Sequence, residues 1–286
     1  MRALSTGRSP VVGAPGAGVP ELPEVETLRR TIAPHVIGRR ILALDVRERR
    51  LRRPIAADLA ARLVGRTIVD VRRRAKYLLL DVGGGLHWVI HLGMSGRLCV
   101  GDPPADLSHV HVVAALDGGG RLYFRDPRRF GLMLLTSDER DLGVLGLEPL
   151  GDGFSPAALW QMTRRHRRVT VKSLLMDQRL IVGVGNIYAN EALFDAGLRP
   201  GRRAGRLSRA QVERIVPALK AVLHRALASR GSSLLDYRDA DGEMGEFQRS
   251  LRVYERAGEA CKVCGTSIRR TVIGGRGTFF CPLCQT

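Results

Sequence analysis

Four of the chain's five cysteines stand at its end, as "CKVC" (261–264) and "CPLC" (281–284), sixteen residues apart. This C-x2-C-x16-C-x2-C spacing lies in the range of zinc sites. Each C-x2-C turn places two sulfurs on one ion, so Cys261, Cys264, Cys281 and Cys284 can close a tetrahedral site. The chain between them must double back. Its sequence, "GTSIRRTVIGGRGTFF", has β-formers on both sides of "GGRG" and reads as a hairpin with Arg276 at the tip. No fifth ligand or water-activating acid accompanies the cysteines. The expectation is one structural Zn2+ and no catalytic metal. Two disulfides or a redox pair compete, but they suit an oxidising compartment. Arg276 at a tip can also be a plain solvated turn residue. The fifth cysteine, Cys99, stands in an apolar stretch and reads as core.

Charge narrows the partner. The 286 residues hold 46 Lys+Arg against 28 Asp+Glu, a formal +18. Such a surplus favours a polyanion, nucleic acid first, with an anionic membrane surface as competitor. Free use of arginine by a GC-rich genome is the bland explanation. No apolar run approaches the ~20 residues of a membrane span. The first eighteen residues are broken by Pro10, Pro15 and four glycines, a poor secretory signal. Cytoplasmic residence, without membrane, is expected. Only Lys76, Lys172, Lys220 and Lys262 are lysine. A lysine amine can be tuned to exchange a proton, whereas arginine stays charged.

Along the chain, residues 1–19 form a non-periodic Gly/Pro/Ala leader that reads as disordered. A helix is expected from Pro20, with glutamates at the positive end of its dipole and Val25, Leu28 and Ile32 on one face. Strands are expected in "RILALDV" (40–46), "RTIVDVRRR" (66–74), "KYLLLDV" (76–82), "LHWVIHL" (86–92), "HVHVVAAL" (109–116), "RLYFRD" (121–126) and "FGLMLLT" (130–136). "GGG" (83–85) and "DGGG" (117–120) signal turns. Past a boundary near 148–156 the pattern becomes helical, with Asn186 and Ser208 as expected N-caps and Gly197 and Gly231 as stops. The fold class is α+β, in four parts: the 1–19 leader, a 20–150 β-sandwich domain, a 151–255 helical domain and the 256–286 finger.

Several stretches carry candidate chemistry. "GVGN" (183–186) lacks the third glycine of a dinucleotide fingerprint, since Tyr188 stands there. It reads instead as a tight turn before a helix capped by Asn186, with free N–H groups suited to a DNA phosphate. An ordinary capped helix is the plain alternative. "DPRRFGLM" (126–133) and "HLGMSGR" (91–97) put Phe130 and Met94 on turns beside arginines, as wedges for a base stack would be. Most Phe and Met are simply buried. Lys76 sits at a strand junction, and "RRHRR" (164–168) is either a solvated face or a backbone track.

Taken together, "PELPEVETLRR", "RRAKYLLL", "HLGMSGRL", "DPRRFG", "LMDQRLIVGVGNIYANEALF" and the finger ending "RGTFFCPLCQ" resemble the bacterial formamidopyrimidine-DNA glycosylases. The match runs from residue 20 to the last residue. The resemblance implies an N-terminal β-sandwich with a catalytic N-terminal helix, a helix–two-turn–helix domain and a zinc-finger hairpin. It implies a monomer that acts on damaged double-stranded DNA, excises 8-oxoguanine and formamidopyrimidines, and nicks by β,δ-elimination. Pro20 would be the nucleophile, Glu21 the acid/base partner, Lys76 a proton-transfer aid and Arg276 the group at the δ-elimination phosphate. Met94, Arg128 and Phe130 would fill the gap left by a flipped lesion, with Arg128 facing the orphaned cytosine. His109, Arg167, Lys172 and Asn186 would contact phosphate. The sibling endonuclease VIII-like branch, which prefers oxidised pyrimidines, is the nearest alternative; a non-catalytic lesion-binding protein is the other.

The implied mechanism needs Pro20 as the first residue, yet here it follows Val19. An acylated proline nitrogen is an amide without a nucleophilic lone pair. The expectation is that the leader is absent from the working protein, through cleavage after Val19 or because Val19 marks a GUG start. The "SSLLDYRDADGEMGEF" stretch (232–247) reads as a loop over the lesion.

Overall fold

A computed structural model describes residues 19–232 and 243–286. The leader and most of the expected lesion-covering loop lie outside these residues.

Helix α1 (Leu22–Val36) opens the described chain. It starts two residues later than the expected Pro20, with Glu21 as its cap, because the Glu21 backbone N–H donates to Glu24 Oε2 at 2.8 Å and closes the first turn. Val25, Leu28 and Ile32 are buried, as their spacing predicts. Strand β1 (Ile41–Val46) and the short helix α2 (Leu59–Leu63) follow. Then come β2 (Asp70–Arg74), β3 (Tyr77–Asp81), β4 (His87–His91), β5 (Arg97–Val100), β6 (Val110–Leu116), β7 (Arg121–Arg125) and β8 (Leu132–Thr136). Two antiparallel four-stranded sheets result, ordered β1-β6-β7-β5 and β2-β3-β4-β8. They share one core, with Trp88, Ile90, Leu98, Phe124 and Met133 packed together with the apolar face of α1. The run "LLL" in β3 does not alternate because both faces of that strand are covered. Leu78 and Leu80 face the shared core, and Leu79 packs outward with Val89 and Leu142.

Sequence reasoning missed α2 and β5. Strand β5 is four residues long and lies beside the turn-rich "LGMSG". Its presence corrects the expectation for Cys99. Leu98 points into the core, so by strand alternation Cys99 points away and is half-buried.

The second half is helical: α3 (Pro156–Arg165), α4 (Val171–Met176), α5 (Asn186–Asp195) and α6 (Arg209–Ala228). Helix α5 is buried along nearly its whole length, from Ile187 to Phe194, so it shows no polar stripe. Ser208 caps α6, accepting from Gln211 N at 3.2 Å. Gly197 and Gly231 end α5 and α6 with φ of +68° and +83°. Strands β9 (Arg269–Ile273) and β10 (Arg276–Phe280) form the finger hairpin, turning at Gly274 and Gly275, with Arg276 the first residue after the turn.

Candidate active site and nucleic-acid interface

The N-termini of α1 and α5 meet head to head. Leu22 N donates to Gly183 O at 2.9 Å, anchoring the start of α1 on the "GVGN" turn. The first N–H groups of a helix have no partner within it and carry partial positive charge. At α5 the Glu21 carboxylate fills that role. It accepts from Gly185 N at 2.7 Å, Ile187 N at 2.9 Å and Tyr188 N at 3.4 Å. This corrects two expectations. The cap of α5 is Gly185, with Asn186 the first helical residue. The anion held there is a side chain of this chain, not an external phosphate. The glycines follow from that approach: a Cβ on Gly185 would stand 2.4 Å from the Glu21 carboxyl, and one on Gly183 2.7 Å from Leu22.

Burial dominates the chemistry of Glu21. It pushes the carboxyl pKa up, and the neighbouring Glu24 adds to the rise. Lys76 and the α5 amides pull the other way, leaving a pKa of about 7. Such a group can both give and take a proton near neutrality. Glu24, also buried, accepts from Tyr188 OH at 2.5 Å and Ser232 N at 2.7 Å. It thereby ties α1 to α5 and to the chain leaving α6. Pro20 is buried beside this pair, preceded by Val19.

Lys76 follows the β2–β3 turn, where Ala75 has φ +55°. Glu148, from the boundary between the domains, pins that turn. It accepts from Ala75 N at 2.8 Å and pairs with Arg73 at 2.8 Å and Arg74 at 3.0 Å. These contacts hold the Glu148 carboxyl below its usual range despite its partial burial. The Lys76 pKa is lowered, first by burial and also by Arg276, while Glu21 opposes the fall. Lys76, Glu21 and Arg276 thus share one electrostatic environment, although they lie far apart in sequence.

Lys172 departs from expectation. It is only 1% exposed, and its ammonium donates to Gly277 O at 2.9 Å and Thr278 Oγ1 at 2.6 Å. These bonds clasp the finger hairpin to α4, so Lys172 is not a surface cation waiting for phosphate. Burial, then Arg276, push its pKa down to about 7. Asn190 makes a second clasp, accepting from Phe279 N at 2.9 Å.

The two candidate wedge turns pack against each other. A Cβ on Gly93 would lie 2.4 Å from the Phe130 carbonyl carbon. Asp126, fully buried, supports both turns. Its carboxyl accepts from Ser95 Oγ at 2.6 Å and from Gly131 N at 2.7 Å. Ser95 Oγ in turn accepts from Arg128 N at 3.2 Å. Met94 and Phe130 remain partly exposed rather than core, and the Arg128 guanidinium lies 4.9 Å from the centre of the Phe130 ring. His91 fixes the Met94 turn by accepting from Gly93 N at 2.9 Å. Burial, with the cations Arg52 and Lys76 adding to it, holds the His91 pKa down at about 3, so the ring stays neutral. His109 is exposed with φ +64°, and Arg167 is exposed between α3 and α4.

The four finger cysteines offer their sulfurs within 4.8 Å of one another. Pairs stand 3.4 Å (Cys264–Cys281) and 3.9 Å (Cys261–Cys284) apart. These exceed the ~2.05 Å of a disulfide. They fit the edges, about 3.8 Å, of a tetrahedron with Zn–S near 2.3 Å. The donor set suits one structural zinc.

Glu24, His91, Asp126 and Glu148 were not singled out from sequence. Glu24, His91 and Asp126 lie inside quoted motifs, but only the tertiary contacts show what they hold.

The chain matches three family models in order: the formamidopyrimidine-DNA glycosylase N-terminal domain over residues 19–133, its H2TH domain over 145–237, and the zinc finger found in FPG and IleRS over 258–286. It is 50% identical to the formamidopyrimidine-DNA glycosylase of Thioalkalivibrio sulfidiphilus and 49% to that of Halorhodospira halophila, each over 93% of this chain and all of the relative. Among solved structures, the MutM (Fpg) protein of Thermus thermophilus is 41% identical, with a TM-score of 0.84 over 93% of this chain and 98% of that one. Lactococcus lactis Fpg in complex with DNA containing an abasic site is 31% identical, with a TM-score of 0.85 over 93% and 99%. With the head-to-head helices, the supported wedge turns and the four-cysteine finger all in place along the same span, the chain belongs to the formamidopyrimidine-DNA glycosylase family.

Proposed function

We propose that Pro20 and Glu21 form the reacting pair of this chain, with Lys76 and Arg276 assisting. The protein is a base-excision repair enzyme, a DNA glycosylase for oxidised purines with lyase activity at abasic sites. Its substrate is damaged double-stranded DNA. A base inside a duplex is out of reach, so it must be flipped out, at a cost of a few kcal/mol. Met94, Arg128 and Phe130 fill the vacated space, and their turns are already set by Asp126 and His91. His109 and Arg167 take backbone phosphates, and Asn186 does so only through its side chain, because Glu21 holds the α5 amides around it.

The secondary amine of Pro20 attacks the sugar C1′. The glycosidic bond breaks as the N–C1′ bond forms, and the base leaves with the bonding pair and takes up the proton that the amine gives up. Glu21 delivers a proton to the ring oxygen, the ring opens, and a cationic Schiff base results. That cation acidifies the C2′ hydrogen. Lys76 helps carry this proton during β-elimination, and Arg276 stabilises the phosphate that leaves in δ-elimination. The observation that carries this reading is the Glu21 carboxyl, buried beside Pro20, pinned by α5 amides and poised at about 7.

This chemistry belongs to protein whose first residue is Pro20, since an amide nitrogen cannot attack. Borohydride trapping on duplex containing 8-oxoguanine tests it, with intact mass measured on the same sample. Protein that begins at Pro20 should give a covalent adduct. If it binds the lesion and never traps, the enzyme assignment of Pro20 fails. Faster excision of thymine glycol than of 8-oxoguanine would move the chain to the pyrimidine-preferring sibling branch. We take the working form to be a monomer in the bacterial cytoplasm.

A further inference from the structure

The finger hairpin has two faces. On one, Phe279 packs against Tyr254, with ring centres 5.4 Å apart, and holds the hairpin to α5. The other face looks across at the segment 199–206, and a recess of about 610 Å³ lies between them. Its rim carries Arg199, Arg202, Arg203 and Arg206, while Pro200, Ile273 and Phe280 give it apolar walls. The Arg199 guanidinium is committed to the carbonyls of Gln285 and Pro282, at 3.0 and 3.2 Å. Arg202, Arg203 and Arg206 form no ion pair with a carboxylate among the described residues, in a molecule where many surface arginines do. None of the residues proposed above for DNA or for catalysis lines the recess.

From this combination we infer a docking site for an acidic peptide segment of a partner protein, one that carries an apolar anchor side chain. Unpaired guanidinium groups around a concavity select carboxylates. The apolar walls select a side chain that can be buried among them, the usual form of an interface anchor. A duplex satisfies only half of this pattern. Its backbone alternates phosphates with flat sugar edges and projects no apolar side chain that could enter between Pro200, Ile273 and Phe280, so charge set against those walls carries a desolvation cost with little return. Because no residue proposed for catalysis or DNA contact lines the recess, a partner can sit there while the catalytic cleft holds DNA.

The test uses the full zinc-loaded protein and a fluorescein-labelled peptide, Asp-Glu-Asp-Leu-Phe-Glu-Asp, followed by anisotropy. Saturable binding is expected. R203E/R206E should weaken it by about tenfold or more, because the rim becomes like-charged with the ligand. Both side chains are exposed, so this variant should fold and should bind an undamaged short duplex as the parent does. I273E should weaken the peptide as well. Three results would overturn the inference: no saturable binding; equal binding of a peptide with Ser-Ser in place of Leu-Phe, which would leave charge alone; or an equal loss of duplex binding in R203E/R206E, which would make the recess part of the DNA track.

Discussion

At the α1–α5 junction and beneath the wedge turns, a buried carboxyl group gathers N–H and O–H donors from distant parts of the chain, and the two sites use it differently. Glu21 is held by three α5 amides and is itself the proposed reagent. Asp126 is held by Ser95 and Gly131 and only supports Met94, Arg128 and Phe130, which do the proposed work from exposed positions. A group that moves protons gains from burial, which raises its pKa toward neutrality. A group that enters a base stack must stay exposed, so its rigidity has to come from below. One device, a pinned carboxyl, can thus make either a reagent or a scaffold.

In protein that begins at Pro20, Glu21→Gln should have the largest effect. Base excision should fall about 10²- to 10⁴-fold, the usual range for losing general acid–base help. Single-turnover excision of 8-oxoguanine would show it, and the pH profile should change shape once the Glu21 carboxyl is gone. A stability measurement sharpens the point. The Glu21 pKa is raised from 4.5 to about 7, so its contribution is fully present below 4.5 and is lost as pH rises through 7. The glutamine variant should therefore gain stability relative to the parent as pH increases. A constant difference would mean that Glu21 ionises freely.

Gly185→Ala comes next, because its Cβ would meet the Glu21 carboxyl at 2.4 Å. Overpacking of this kind costs about 1–3 kcal/mol. Displacing Glu21 should slow excision about 100-fold. Denaturant melts and excision rates would report the two effects separately, and a fast variant would show that Glu21 need not be pinned. Asp126→Ala strands the Gly131 N–H and should cost about 1–3 kcal/mol. It should slow excision from intact duplex more than incision at a preformed abasic site. Equal slowing would break the scaffold assignment. Phe130→Ala should be the mildest in stability, within about 0.5 kcal/mol, because the ring is only partly buried. Its defect should be confined to substrates whose base must still be flipped.

Local patterns were legible where local physics decides. The period of Val25, Leu28 and Ile32, the β-rich runs around Gly83–Gly85, the Ser208 cap and the cysteine spacing all depend on near neighbours in the chain. The misreadings came where a distant group intervened. Asn186 is a good cap by composition, but Glu21 occupies the α5 N-terminus and only glycine leaves room at 185. Lys172 has the composition of a phosphate ligand, but the finger hairpin folds back over α4 and takes its ammonium. Strand β5 escaped notice because its pairing with β7 is non-local and its own run is only four residues.

By itself, then, the sequence determined the α+β order, the four-thiolate finger, the family and the identity of the candidate reagents, because spacing and residue type carry that information. Only the tertiary structure decided that Glu21 is buried against α5, that Asp126 and Glu148 hold the working turns, and that Lys172 is a clasp. Those outcomes depend on desolvation and on hydrogen bonds between segments up to 167 residues apart, which no local pattern records.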